Sequence, residues 1–502
     1  METCRGTPAA HDRADNAHHM PVGSLQTLTA ILVALASTVV LALAGCASSA
    51  GIAPVATKIE PASVGIDAAQ PATPEIAGDW WHAFGDSKLD ELVDRALVGN
   101  PNLKAAQVRL TRAQAALEGA QAGDGPQVGL QVDASRQRFS QNYIYPPPLG
   151  GSQQTLGNAS LNGSWELDFF GKNRAAIEAA VGGARAAQAD LQASRILLAS
   201  NVARSYVQLA RLVEQREVAT RSLKQRDDIL SLIKQRVQGG LDTNVELRQG
   251  EGSLPETRQQ IEQLDEQIAL TRHALAALTA QPPGALDALT PPLTAVNAVP
   301  LPAAVPADLL GRRADIAAAR WRIEAATQDI QVAKAQFYPN INLTAFVGLQ
   351  SIGLDNLVKA SSEQWGFGPA LRLPIFDSGR LRANLRVKTA DVDAAVESYN
   401  AAVLDAVHDV ADQIASIRSI ARQQAEQQQA QNAAESAYDL ATQRYKAGLG
   451  TYLTVLNAET TVLAQRRLAA DLKARALDSQ VALIRALGGG YVAPADGKVA
   501  SR

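Results

Sequence analysis

The side chains that could carry out chemistry are few in this chain, and they do not converge. Its 502 residues include two cysteines, Cys4 and Cys46, and six histidines. Serines, histidines and acids form no nucleophile elbow, and neither a glycine-rich phosphate loop nor metal-ligand spacing occurs. His11, His18 and His19 sit in an amino-terminal segment expected to be discarded, while His273 and His408 lie in helical runs as packing or surface residues. No catalytic residue, no metal site and no enzymatic activity are expected. The one position with a defined chemistry is Cys46, which closes Leu43-Ala44-Gly45-Cys46 after an apolar run from about Leu28 to Ala44.

That run follows Arg5 and Arg13 and is broken only by Thr29, Ser37 and Thr38. Its length and the small residues after it read as an export signal over residues 1–45 rather than a membrane span. Met20 is an alternative start, although no Lys or Arg lies between it and Cys46. Leu, a small residue, Gly and Cys resemble the bacterial lipobox. The resemblance implies cleavage before Cys46 and a covalent lipid on its sulfur and new amino group. Ala47, in place of Asp, implies the outer membrane as destination. A buried or free cysteine is the plainer alternative. Cys4 leaves with the signal, so the mature chain would hold no disulfide. No other cofactor is expected.

The elements that follow are written twice. Phe376-Asp377-Ser378-Gly379-Arg380 repeats Phe170-Gly171-Lys172-Asn173-Arg174 at an offset of about 206 residues, and Arg444 to Thr451 repeats Arg236 to Thr243 at about 208. The chain divides into a flexible tether rich in Ala, Pro, Ser and Thr (46–78), a first repeat (79–279), a linker (280–306), a second repeat (307–488) and a tail (489–502). Net charge is −3, which gives no electrostatic reason to expect nucleic acid. Aromatic residues make up 4%, and abundant Ala, Gln, Leu and Arg favour helix.

Each repeat opens with helical segments and then carries two stretches of strict two-residue alternation. Val128, Leu130, Val132 and Ala134 alternate with Gln127, Gln131, Asp133 and Ser135; Ala159, Leu161, Trp165 and Leu167 alternate with Ser160, Asn162, Ser164 and Glu166. The second repeat sets Ile341, Leu343, Ala345, Val347 and Leu349 against Asn340, Asn342, Thr344 and Gln350, then Trp365, Phe367, Leu371 and Leu373 against Gly366, Gly368 and Arg372. Runs of about ten residues fit tilted membrane strands, or a half-buried soluble sheet. The export signal and loops rich in Tyr, Pro, Gly and Gln favour the membrane, with Tyr143, Tyr145 and Trp365 as candidates for an interfacial girdle. Each strand pair leads into two long helices, about Arg174–Gln238 with Val245–Thr279, and about Arg382–Lys446 with Tyr452–Leu487. The longer legs reach about 100 Å at ~1.5 Å per residue. Sevenfold spacing of Val396, Val403, Val410 and Ile417, of Leu254, Ile261, Ile268 and Leu275, and of Leu456, Leu463, Leu477 and Ile484 marks coiled-coil seams.

Four strands with lipid-facing side chains cannot end in an open sheet within hydrocarbon, where unpaired edge amides cost several kcal/mol each. Other copies of the chain must close the wall. Two copies would give eight strands and a filled interior, whereas three give twelve and leave a lumen. The fold class expected is therefore an α+β membrane protein, internally duplicated: a transmembrane β-barrel with four strands per chain, continued by a long periplasmic α-helical barrel; the family resemblance given next implies that it is trimeric and 12-stranded.

Further residues carry a family resemblance across nearly the whole mature chain: Trp80-Trp81 with Phe84, Asn100-Pro101-Asn102-Leu103, Leu309 to Ile316, Phe337-Tyr338-Pro339-Asn340-Ile341, Arg444-Tyr445 leading to Gly448, and Leu487-Gly488-Gly489-Gly490. In this order they resemble the TolC-like outer membrane efflux factors, in the lipoprotein branch with OprM-like and NodT-like channels. The resemblance implies a homotrimer docked to a periplasmic adaptor and fed by an inner-membrane RND pump. It places the helix turns at the periplasmic tips, so that Gly240, Leu241, Thr243, Gly448, Leu449 and Thr451 would meet the adaptor. Glycine also permits the tight reversal and threonine the cap, whatever binds there. Just past the tips the resemblance implies an aperture ringed by Glu246, Gln249, Thr454 and Asn457. Asn457 stands where the family commonly has Asp, removing a charged ring. Pro255, Gly250 and Gly252 weaken the first return helix, suggesting a bend that lets the aperture dilate. The function so implied is a passive exit duct for drugs or toxic small molecules. The alternatives are the duct of a type I protein secretion system and a structural coiled-coil lipoprotein without a pore.

Overall fold

The computed structural model describes residues 49–65, 76–299 and 308–493; the export signal and Cys46 lie outside the described residues. After a single turn at Trp80–Phe84, the first repeat runs α1 (Ser87–Gly99), α2 (Pro101–Gly123), β1 (Gln127–Arg138), β2 (Gln153–Leu167), α3 (Lys172–Gln238) and α4 (Asn244–Leu278). The second runs α5 (Ala314–Ala335), β3 (Asn340–Ile352), β4 (Glu363–Arg372), α6 (Arg380–Lys446) and α7 (Tyr452–Ala486). The duplication extends to length: α3 and α6 are 67 residues each, α4 and α7 35 each.

Asn100 makes the elbow between α1 and α2. Its Oδ1 accepts hydrogen bonds from Asn102 N (2.9 Å) and Leu103 N (3.3 Å), while its Nδ2 donates to Leu278 O at 2.9 Å. Pro101 takes the first helical position, where its missing N–H is no loss, so α2 begins two residues before the Leu103 predicted from sequence.

The strands form one antiparallel sheet in the order β1-β2-β3-β4. Register sorts the side chains cleanly. Leu130, Leu161, Val347 and Trp365 stand in one row across the sheet, while Asp133, Asn158 and Gln350 stand in a row on the opposite face. The aliphatic face includes the exposed Val128, Leu130, Val132, Leu343, Phe367 and Leu371, as a lipid-facing surface requires. Trp365 lies on this face stacked against Phe367, whereas Tyr143 and Tyr145 lie in the loop after β1. Among the described residues, β1 and β4 each have one strand edge unpaired. All helices join the sheet at one end, and the other end carries only the loops 139–152 and 353–362.

Below the sheet, the predicted seams are inside. Val396, Val403 and Val410, Leu254, Ile268 and Leu275, and Leu463, Leu477 and Ile484 are all buried. The largest core gathers Trp80, Trp81 and Phe84 with Val202, Tyr206 and Leu209 of α3, and Tyr206 donates a 2.6 Å hydrogen bond to Asp86. Two distant motifs meet nearby: a Cβ on Gly488 would stand 1.9 Å from Arg312 O, and Arg313 donates to Ala486 O at 3.1 Å, satisfying a carbonyl at the end of α7.

The reading of residues 46–78 as a flexible tether is corrected over 49–65, which form a strap along α6, extended from 52 to 60 and ending in a single 3-10 turn at Pro61–Val64. Asp393 Oδ1 accepts from Val55 N (2.8 Å) and Ala56 N (2.9 Å). Asn400 accepts from Ile59 N (2.8 Å) and donates to Thr57 O (3.0 Å). Ile52 and Ala56 pack against the core of Ile323, Leu385 and Val392, and Ile59 and Val64 against Ile316 and Val403. An extended chain has no internal hydrogen bonds to saturate its amides, so facing side chains can capture them. Replacing Asp393 and Asn400 together by Ala is expected to expose residues 49–65 to limited proteolysis while the helical hairpins stay resistant; unchanged cleavage would show that the apolar contacts alone hold the strap.

Candidate functional site

The ends of the long hairpins carry the exposed features that the sheet and seams position. At both, a left-handed glycine reverses the chain: Gly240 with φ 70° and Gly448 with φ 76°. The leucine that follows closes each turn, Leu241 N donating to Arg236 O and Leu449 N to Arg444 O, both at 2.8 Å. These leucines then project outward, 69% and 70% exposed. Burying one against a partner would contribute up to about 2 kcal/mol.

The two returning helices start differently. Thr243 accepts from Val245 N at 3.1 Å, and Glu246 reaches back to Thr243 N at 2.9 Å and to its hydroxyl, a complete capping box. Those hydrogen bonds, the hydroxyl first, hold the Glu246 carboxyl below its usual range. Thr451 makes no such cap. Its hydroxyl pairs with that of Thr454 at 3.1 Å. Gln249, Thr454 and Asn457 are exposed on the first turns of α4 and α7, and a ring of them forms only by threefold symmetry. α4 is continuous through Pro255. Gly250 has a packing reason of its own, since a Cβ there would stand 3.0 Å from Ile233 and from Leu230 of α3.

Further up, Arg204–Asp478 and Arg211–Asp471 tie α3 to α7; two other polar junctions join the hairpins at and near the tips, and neither was apparent from sequence. At the tips, Arg236 donates to both oxygens of Asp242 (2.9 and 3.1 Å) and to Tyr445 O (3.2 Å), and its guanidinium lies 4.7 Å from the Tyr445 ring. The Tyr445 hydroxyl donates to the same Asp242 carboxylate. The Arg236 hydrogen bond, with Tyr445 adding to it, holds Asp242 below the usual carboxylate range, and burial pushes Tyr445 up. Higher up, buried Glu459 of α7 accepts from Arg226 Nε on both oxygens at 3.1 Å and from Ser222 at 3.1 Å. Arg226 also donates to Ser253 O (3.1 Å) and Thr257 Oγ1 (2.9 Å), so three helices share one pin. The signal for it was present: Glu459 interrupts a seam of Tyr452, Val455 and Val462. A carboxylate in a seam needs a cation, but which one is set by the fold.

Among the described residues no group of His, Cys, Asp or Glu could hold a metal ion.

Comparison with known proteins agrees with this geometry. The chain matches the sequence profile of the outer membrane efflux protein family over residues 92–281 and 305–489. It is 34% identical over 462 residues to the multidrug resistance outer membrane protein MdtQ of Escherichia coli O6:H1, covering 90% of this chain and 96% of that one. It is 38% identical over 360 residues to the fusaric acid resistance protein FusA of Burkholderia cepacia, covering 70% and 68%. The crystal structure of the outer membrane protein VceC of Vibrio cholerae superposes with a TM-score of 0.77 at 35% identity, covering 82% of this chain and 98% of that one. The chain therefore belongs to the outer membrane efflux protein family, a non-enzymatic exit duct of the outer membrane with a large periplasmic portion, built as a β-barrel that a helical barrel continues.

Proposed function

We propose that three copies of this chain form the outer membrane duct of a tripartite efflux assembly that discharges drugs or other toxic small molecules. A periplasmic adaptor would hold the tips, and an inner-membrane RND pump would supply the cargo and the energy. The observation that carries this reading is the open four-stranded sheet, lipid-compatible on one face and polar on the other, joined to helices of 67 residues. A sheet of that kind closes only with copies of itself, and the helices extend the wall toward the inner membrane. Small-molecule cargo is favoured because the relatives are named for multidrug and fusaric acid resistance.

Within this reading, Leu241 and Leu449 with Gly240, Thr243, Gly448 and Thr451 form the adaptor-contacting surface, and Gln249, Thr454 and Asn457 line the aperture beside the cap-bound Glu246. The Arg236–Asp242–Tyr445 junction keeps the hairpin ends together and the aperture narrow. Cys46 carries the lipid. Three peptide steps separate it from Ser49, at most about 10 Å of chain, and the strap then continues beside α6 from the barrel end of that helix.

The test is conduction with rescue. Purified trimers in planar bilayers are expected to give discrete single-channel currents, and the gene is expected to restore drug resistance to cells lacking their own duct when its pump and adaptor are co-expressed. Trimers that never conduct would reject the reading.

Asp242→Asn removes charge-assisted bonds that contribute about 1.5–3 kcal/mol, and is expected to raise conductance at neutral pH. Because the folded carboxyl titrates low, the junction in the wild type is fully present above the ordinary carboxylate range and is lost only as pH falls below it. Conductance of the wild type should therefore rise in that acidic window and not before, and D242N should show no such step. Asn457→Asp restores three charges to the aperture and is expected to shift the reversal potential toward cation selectivity. Cys46→Ser should abolish incorporation of labelled fatty acid while leaving conducting trimers.

A further inference from the structure

At mid-height the polar face of the sheet carries one large apolar side chain that a wet interior does not call for; Leu156 and Ile352, on the same face, pair at its loop end. Phe346 pairs with Asn162 on β2 and with Gly366 on β4, on the face that also holds Asn158, Thr344 and Gln350. A strand facing a water-filled lumen ordinarily places polar or small residues there, and β3 does so from Asn340 to Gln350 except at Phe346, before Ile352 ends the strand at that loop end. The ring has a prepared seat. A Cβ built on Gly366 would stand 2.7 Å from Phe346 Cε1 and 2.9 Å from its Cζ, so only glycine leaves room for the ring at that place. The rest of the side chain is open, 42% exposed, near the middle of the 13-residue strand β3.

We propose that Phe346 is a contact point for the apolar and aromatic parts of solutes crossing the barrel, three rings lining each trimer at one height. The inference rests on the exit-duct reading above. An aromatic face on a polar wall attracts flat apolar groups and, through its quadrupole, organic cations. Asn162 and Thr344 beside it offer hydrogen bonds to the polar parts of the same molecules. One ring for every four strands leaves the rings apart around a twelve-stranded wall, so the contact would delay a solute without plugging the duct.

A ring over a cross-strand glycine can also serve purely as cover for the sheet, and the experiment separates the two roles. Trimers in planar bilayers in KCl receive tetraphenylphosphonium or, as an aliphatic control, tetraethylammonium. The wild type is expected to hold tetraphenylphosphonium longer, seen as longer current interruptions. Phe346→Ser should shorten them roughly two- to five-fold, with interruptions by tetraethylammonium, which keeps the cation but has no ring to stack, shortened less, and KCl conductance equal or higher. Phe346→Leu, which keeps an apolar cover over Gly366, should lose the aromatic preference similarly, and it decides the matter if F346S does not assemble. Equal interruptions in wild type and variants, with only a lower melting temperature of the trimer, would assign the ring to sheet cover and overturn the proposal. Absence of any KCl current in the wild type would overturn the duct reading and this inference with it.

Discussion

Backbone hydrogen bonding in a medium without water is the constraint on which the rest of this structure depends. The sheet satisfies its internal amides through the registers β1–β2, β2–β3 and β3–β4, and leaves the outer edges of β1 and β4 unpaired within the chain. In water those edges would be solvated. Against hydrocarbon each orphaned group costs several kcal/mol, which only strands of neighbouring copies can remove. Assembly is thus part of folding for this chain, and the lumen is a consequence of closing the wall.

The helices obey the same logic in a milder solvent. A helix of 67 residues satisfies its own backbone but cannot bury a seam alone. The seams do so by pairing α3 with α4 and α6 with α7, and polar pins lock those pairs to each other. The buried Arg226–Glu459 pair is a costly device if judged by net stability. Its value lies in register: only one vertical alignment of α3, α4 and α7 satisfies both charges and the hydroxyls of Ser222 and Thr257. The tip junction around Asp242 is smaller and nearer solvent, so it is the one of the two that can open without unravelling the bundle.

Elements built by local pattern were legible in the sequence, and those built by distant partners were not. Strands and long helices fell within a few residues of their expected bounds because alternation and heptads are local signals, as were the glycines of the tips. The strap was misread because its partners, Asp393 and Asn400, stand 337 and 341 residues from Ala56 and Ile59. Nothing in its Ala- and Pro-rich composition announces them. The Arg226–Glu459 pin spans 233 residues and the Tyr445–Asp242 contact 203. Glu246 was read as an aperture residue from its position, whereas its carboxylate is first engaged by the Thr243 cap. Phe346 interrupts the polar alternation of β3, and only the register shows that it lies beside Gly366.

The central claim is that the chain completes its wall by borrowing strands from sister copies. The most direct measurement is the mass of the purified mature protein by sedimentation, in detergent and after detergent removal. The account predicts a single threefold species in detergent and loss of soluble protein once detergent is withdrawn. A monodisperse monomer that stays soluble without detergent would contradict it.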